Sequence, residues 1–385
     1  MINELNKLKL DLKGKKFPIA FLIEENLNHN VEFFTRESKD KLIRIATKSI
    51  RSLEVLKLLK KKLGPKYNGL MCYSAEEALW LLEEGFENIL IAYPVINKKN
   101  IKDLLAHANS SEVYFMIDSS EHVDILSALA DKPINVCIDI DLSMKLPGLN
   151  FGVYRSSIKN LRDFKNLYSY CKNKNNILIK AVMGYEAQIA GVRDKGSSFL
   201  ENLVIPFLKK RSINKLRQLR SEILTWINEE NIQLDFVNAG GTGSIDSSIK
   251  EELVTEITVG SGFYAPSLFD GYNNLDLKPS LFFALEVTRN PEPKIYTLYG
   301  GGYVASGALG LEKIPIPIDS AVKLISTEMC GEVQTPIKSE KVFNLGDPVI
   351  FRHAKAGELL EHFNFFWLPK RGIEFKTYRG LNKKF

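Results

Sequence analysis

Cysteine is scarce in this chain: four residues in 385, with no CxxC pair and no histidine cluster beside them. Three of the four sit in or beside apolar stretches, so neither a disulfide framework nor a structural zinc site is expected. Long apolar runs are missing too, since no stretch approaches the roughly 18 residues that a membrane-spanning helix needs. The opening MINELNKLKLDLKGKK lacks an apolar segment followed by a small-residue cleavage site. A cytoplasmic protein with no membrane partner is the expectation. Charge of one sign is only mildly in excess, at a formal +6. Lys60, Lys61 and Lys62 close an amphipathic helical pattern and read as a solvated face, and no recognised nucleic-acid-binding motif accompanies them. What remains is an ordinary globular composition, 45% hydrophobic and 25% charged, in a chain too long for one average domain.

Eight short runs rich in Val, Ile and Leu recur between helical patterns, as parallel strands buried on both faces do. They are LIRIAT (42–47), GLMC (69–72), NILIAY (88–93), VYFMI (113–117), INVCIDI (134–140), ILIKAVM (177–183), LDFVN (234–238) and TEITVG (255–260). Ser74 and Glu77 form a capping-box pattern after the second run, and Asp118 or Ser119 can cap the helix after the fourth. Eight strand-helix units favour a closed sheet, which leaves no exposed edge, over the rival open doubly wound sheet. The expected fold class is therefore α/β, a (β/α)₈ TIM-type barrel over residues 1–271. From about Tyr272 the alternation gives way to Pro, Gly and short strand-like runs, read as a mostly antiparallel β domain over 272–385. FPIAFLIE (17–24) can join either domain. Gly184 to Gln233 is an insertion long enough for two helices, with patterns at 200–208 and 213–227.

In such a barrel the active site lies at the C-terminal ends of the strands, with phosphate held by the loops after strands seven and eight. Those loops are Gly240-Gly241-Thr242-Gly243-Ser244 and Gly260-Ser261-Gly262. Glycines let backbone N–H groups converge on an anion, and Thr242, Ser244 and Ser261 add hydroxyls. Either run alone reads more readily as a structural turn; the two together, in these places, point to phosphate. Lys48 ends the first strand in RIATKSI. A lysine there can merely snorkel to solvent, but at a barrel mouth desolvation lowers its pKa toward that of a nucleophilic amine. An amine facing a phosphate cradle suggests an aldehyde cofactor with a phosphate tail, and pyridoxal 5'-phosphate is the common one.

The runs RIATKSI, YNGLMCYSAEEA with ILIAYP, FMIDSSEHV, MGYEAQIAG and FVNAGGTGS, in this order, resemble the alanine-racemase-like (fold type III) pyridoxal phosphate enzymes. Within these the resemblance is to the D-threonine aldolase and D-serine dehydratase branch, including relatives labelled amino acid deaminase or aldolase. It implies that Lys48 carries the cofactor as a Schiff base and that Gly241, Thr242, Gly243, Gly260 and Ser261 bind its phosphate. It also implies a homodimer, with a C-terminal β domain closing the site from the same subunit or the partner. Two positions depart from the pattern. Asn150 stands where many members place an arginine against the pyridine nitrogen, and Arg155, five residues on, is the substitute or else a surface residue. The branch also carries a divalent cation (Mn²⁺, Mg²⁺ or Zn²⁺) on a histidine and a Cys or Asp two residues later. Here RHAKAGE supplies His353 but sets Lys355 in the second place, so that either Glu358 is recruited or the Lys355 ammonium replaces the cation.

Tyr185, in MGYE after strand six, projects toward the same mouth as an acid-base or packing residue. Tyr93 and Pro94 read as loop-shaping residues, and GGGYVASG (300–307) as a turn near the site entrance. The expected function is a lyase on a small substrate, a D-3-hydroxy amino acid, acting by retro-aldol cleavage or β-elimination. Lys48 holds the cofactor and His353 or Lys355 handles the β-hydroxyl. Two rivals stand beside it. One is an amino acid racemase using Lys48 and Tyr185 on opposite faces of Cα. The other is a non-catalytic pyridoxal phosphate carrier, against which residues 272–385 argue, since single-domain carriers are shorter.

Overall fold

The computed structural model describes residues 8, 11–12, 14–107, 109–146, 149–191, 193–194, 199–308, 310–355 and 357–385, except for the side chains of 145–146, 149–150 and 199–205. Most of the opening segment read for a cleavage site, and the side chain of Asn150, lie outside the described residues. In chain order the strands begin with β1 (Ile19–Leu22), then β2 (Leu42–Ala46), β3 (Tyr67–Cys72), β4 (Ile89–Ile91), β5 (Val113–Ile117) and β6 (Ile134–Asp139). A hairpin of β7 (Met144–Leu146) and β8 (Leu149–Phe151) follows, then β9 (Ile177–Gly184), β10 (Phe236–Ala239) and β11 (Glu256–Val259). Strands β2 to β6 and β9 to β11 form a closed parallel barrel, sealed where Val259 of β11 pairs with Ile45 of β2. Each barrel strand coincides with one of the eight apolar runs.

Side chains fill the lumen in two chemical layers. Leu90, Met116, Cys137, Ala181, Met183 and Phe236 make an apolar cluster of their own. Beside it Arg44, fully buried, donates to both Glu256 oxygens (2.6 and 3.0 Å) and to the Asn88 carbonyl (2.6 Å), with its guanidinium 4.3 Å from the Phe236 ring. Removing either charge would strand the other in a dry lumen, which costs about 3–5 kcal/mol. On the outside, the helices start as their residues dictate. Ser74 Oγ accepts from Glu77 N (3.1 Å), while the Glu77 carboxylate reaches one residue further back than a reciprocal box, to Tyr73 N (3.1 Å). Of the two candidates at 118–119, Ser119 is the cap.

The insertion after β9 holds a short helix, Ala187–Ala190, and one continuous helix, Phe199–Glu229, where two patterned segments were expected. Residues 209–212, Lys-Lys-Arg-Ser, contain no glycine or proline, so nothing in the chain breaks the helix between the two patterns.

The second sheet comprises β12 (Leu281–Glu292), β13 (Ile295–Tyr299), β14 (Ile316–Pro317), β15 (Val322–Leu324), β16 (Gln334–Ser339), β17 (Pro348–Arg352), β18 (Phe365–Leu368) and β19 (Ile373–Lys376), together with β1. All its pairings are antiparallel except β1 with β18. FPIAFLIE thus joins this sheet, where Phe21 stacks on Phe282 with centroids 5.5 Å apart.

Candidate functional site

The C-terminal ends of β10 and β11 carry the two glycine turns. Gly240 has a φ of +80°, a conformation that a side chain would strain, and its N–H donates to Glu186 Oε2 at 2.8 Å. Gly241 N donates to Ser244 Oγ (3.0 Å), and Thr242 Oγ1 accepts from Gly262 N (3.1 Å), so one turn is tied directly to the other. Gly260 packs where a Cβ would come within 2.8 Å of Ser49 Oγ and 2.9 Å of Ala46 Cβ, on either side of Lys48 in the chain. The N–H groups of Thr242, Gly243 and Ser261 make no hydrogen bond to the described residues. Amides without acceptors, on two turns tied directly to each other, suit a phosphate oxygen. The residues present therefore fit the phosphate end of pyridoxal phosphate.

Lys48 sits on the single turn Thr47–Ser49 that ends β2, and its exposed Nζ donates to the Tyr93 hydroxyl at 2.8 Å. Tyr93, read from sequence as a loop-shaping residue, is thus the direct partner of the candidate amine. The Tyr185 ring lies against Gly241, where a Cβ would come 3.0 Å from Cε2, and the Arg155 guanidinium stands 5.5 Å from its centroid. Burial pushes the Tyr185 hydroxyl up to about 12, which keeps it protonated at neutral pH. Arg155 is exposed, but its loop is pinned to the barrel: Ser156 Oγ donates to the Asp139 carbonyl (2.6 Å) and Ser157 Oγ to the Asp118 carbonyl (2.5 Å). Asp139 at the end of β6 is the residue that sequence reasoning missed on this wall. Burial, with Asp118 adding and Arg155 opposing, raises its carboxyl to about 7. An aspartate closing a strand at the C-terminal face was the only signal that could have found it.

The second sheet supplies the last wall. At the end of β17, Arg352 donates to the Ala265 and Pro266 carbonyls (3.0 and 2.9 Å) and to Asp270 (2.9 Å), which anchors RHAKAGE to the segment after β11. His353 is buried, with Nδ1 3.1 Å from the Leu281 carbonyl and Nε2 without a partner among the described residues. Its burial, with Arg352 adding, lowers the ring pKa to about 3, so it is neutral; the carbonyl contact assigns the proton to Nδ1. Lys355 is half-buried, its Nζ 3.4 Å from the Ser306 carbonyl, and burial lowers its pKa, with Lys313 and Lys48 adding and Glu358 opposing. Gly357 lies on the backbone of Lys48 and Ser49 closely enough that a Cβ there would collide. The loop of the same chain therefore packs on the backbone at Lys48 and leaves its side chain exposed.

These donors do not fit a divalent cation. His353 offers one unpartnered nitrogen, but a lysine ammonium has no lone pair to give. The Glu358 carboxylate already accepts from Ser306 N (2.7 Å) and Oγ (2.6 Å). Among the described residues no group of three or more His, Cys, Asp or Glu side chains converges as a metal site would.

A closed parallel barrel with an amine at the end of its first strand and a phosphate cradle after its last two defines a barrel enzyme class built around a phosphorylated aldehyde. The chain matches the alanine racemase N-terminal domain over residues 24–266 and belongs to that family, fold type III of the pyridoxal phosphate enzymes. No curated relative matches it by sequence. Among solved structures it is similar to D-threonine aldolase from Filomicrobium marinum, with a TM-score of 0.80 at 16% identity over 95% of each chain. It is also similar to D-threo-3-hydroxyaspartate dehydratase from Delftia sp. HT23 (TM-score 0.73, 14% identity, 94% of this chain and 98% of that one). Alanine racemase from Bacillus anthracis follows, with a TM-score of 0.61 at 15% identity over 87% and 85% of the two chains. Among the described residues no helix is long and apolar enough to cross a membrane.

Proposed function

We propose that the protein carries pyridoxal phosphate on Lys48 and cleaves a D-3-hydroxy amino acid, by retro-aldol cleavage or β-elimination, with Lys355 acting in place of a metal ion. The observation that carries this reading is the Lys48 amine at the same mouth as two mutually bonded glycine turns with unpaired amides. Bound there, the cofactor supplies an electron-withdrawing ring that stabilises negative charge at the substrate Cα. The chain's own groups do the rest. Thr242, Gly243 and Ser261 hold the phosphate through N–H donors, and Tyr93 orients the Lys48 amine through its hydroxyl oxygen. Arg155, above Tyr185, offers a guanidinium to a substrate carboxylate. Lys355, its pKa lowered, donates a proton to a departing β-hydroxyl in elimination or, as the free amine, takes the β-hydroxyl proton in retro-aldol cleavage. The neutral, enclosed His353 presents an unpartnered Nε2 that can only accept a hydrogen bond, being too weak a base for more.

The likeness in fold to D-threonine aldolase and D-threo-3-hydroxyaspartate dehydratase, at TM-scores of 0.80 and 0.73 against 0.60 to 0.64 for the alanine racemases, supports this choice of reaction. Racemisation keeps one observation in its favour, the protonated Tyr185 hydroxyl in the mouth. The same reading takes the protein as a cytoplasmic homodimer.

The test is a cofactor titration of wild type and Lys48→Ala, followed by D- and L-3-hydroxy amino acids with and without Mn²⁺, Mg²⁺ or Zn²⁺. Aldehyde, ammonia and chirality are followed together. Wild type should gain visible cofactor absorbance and act on a D-substrate; Lys48→Ala should lose the absorbance and on the order of 10³-fold in rate. Exchange of the Cα proton without aldehyde or ammonia would establish the racemase instead. Binding with no turnover would establish the carrier, and absence of binding would sink all three readings.

A further inference from the structure

Glu186 follows Tyr185 directly, and its carboxylate is fully buried beneath the first glycine turn. Oε2 accepts from Gly240 N at 2.8 Å and has Ser244 Oγ at 3.4 Å; Oε1 has Ser248 Oγ at 3.2 Å and accepts from Arg220 Nη2. Arg220, itself buried, donates onward to the Gly184 carbonyl (2.9 Å) and to Glu251 (2.6 Å). A negative charge under an anion cradle is at first sight in the wrong place, since it repels the phosphate that the cradle is meant to hold. Arg220 offsets it, while Arg217 stands 4.0 Å from Glu251, the second carboxylate that Arg220 meets. What the carboxylate then contributes is acceptor strength, because hydrogen bonds to a charged acceptor are about twice as strong as neutral ones.

The turn has to divide its amides into those that hold its shape and those that face a ligand. Gly240, Gly241 and Ser244 use their N–H groups internally, on Glu186 Oε2, Ser244 Oγ and the Gly241 carbonyl. Thr242 and Gly243 do not. Glu186 takes the first amide of the turn inward at a residue whose positive φ only glycine adopts freely, and so sets the direction in which the next two amides point.

We infer that Glu186, held by Arg220, is a positioning residue for phosphate binding: it acts on the phosphate only through the turn it anchors. This rests on the proposal that pyridoxal phosphate binds here. Glu186→Gln is the informative change, since in either orientation of the amide an NH₂ meets a donor, Gly240 N or Arg220. The full chain, stripped of cofactor, is titrated with pyridoxal phosphate and with pyridoxal, which lacks the phosphate, while thermal stability is followed separately. Pyridoxal phosphate affinity should weaken about 10- to 100-fold and pyridoxal affinity less than about 3-fold. Equal losses for both ligands, or no loss for either, would overturn the inference. If Glu186→Gln does not fold, Ser248→Ala decides by the same comparison, with an expected loss of about 3-fold for pyridoxal phosphate alone. A wild-type chain that binds neither ligand would instead remove the function proposed above. A wild type that prefers pyridoxal phosphate, with a variant that keeps the preference, removes only the role of Glu186.

Discussion

The two walls of the barrel mouth are made of different materials. On one, at the ends of β10, β11 and β2, the groups proposed to bind are backbone amides of Gly240–Ser244 and Gly260–Gly262, locked by Glu186 and by the bond from Gly262 N to Thr242. On the other they are side chains, Arg155, Asp139 and Lys355, delivered by loops and by the second sheet. A backbone cradle serves any phosphorylated cofactor, whereas side chains select the reaction. Lys355, one of the two positions at which the sequence departs from the pattern it resembles, belongs to the second wall. The sharpest way to break this contrast is Gly260→Val. The added carbons would press on Ser49 Oγ and Ala46 Cβ, 2.8 and 2.9 Å from the first of them, and pry β11 from β2 beside Lys48. Overpacking of this kind is worth 1–3 kcal/mol, so pyridoxal phosphate affinity should fall by up to about 100-fold. A change under 3-fold in a cofactor titration would mean that the backbone wall is not what holds the phosphate.

The complementary experiment leaves the cradle intact and alters the wall that chooses. Lys355→Ala should lower turnover of a D-3-hydroxy amino acid about 10- to 100-fold, the range of a lost proton donor, with cofactor affinity unchanged within about 3-fold. Wild type dialysed against EDTA should keep its activity within about 2-fold. Activity that disappears on dialysis and returns with Mn²⁺ or Zn²⁺ would show that His353 recruits donors other than Lys355 and Glu358.

The same division decided what could be read from the sequence. The eight barrel strands were legible because strands buried on both faces must be runs of Val, Ile and Leu. The two glycine turns were legible because glycine is the residue that a positive φ at Gly240 and close packing at Gly260 require. Contacts among side chains were not. A tyrosine two residues beyond β4 looks the same whether or not it meets Lys48, and the raised pKa of Asp139 depends on its burial first and then on Asp118 across a neighbouring strand. Glu186 meets Gly240 at a separation of 54 residues and Arg220 at 34, with nothing local to announce either. FPIAFLIE was undecidable alone, because β1 finds β12 and β18 only in the far third of the chain. The uninterrupted helix Phe199–Glu229 shows the opposite failure, in which a change of pattern was read as a break although no breaker residue stood at 209–212.

The smallest expected effect measures the cost of placing titratable groups on the second wall. Asp139 keeps its proton up to about 7 in the folded chain, against the usual carboxylate value near 4, chiefly because it is buried. A group whose pKa is raised on folding contributes stability that is complete at low pH and is lost as pH rises through the folded pKa. Wild type should therefore weaken steadily between about pH 4 and pH 7 from this group, and no further above that. Three units correspond to about 4 kcal/mol, roughly halved here because the carboxyl is partly exposed beside the Arg155 guanidinium. Asp139→Asn removes the titration and nearly preserves the shape. Denaturant midpoints should coincide for the two proteins near pH 4 and favour the Asn variant by about 2 kcal/mol at pH 8. Parallel curves across that window would place Asp139 in an environment as solvated as the surface, and the second wall would then be no more strained than the first.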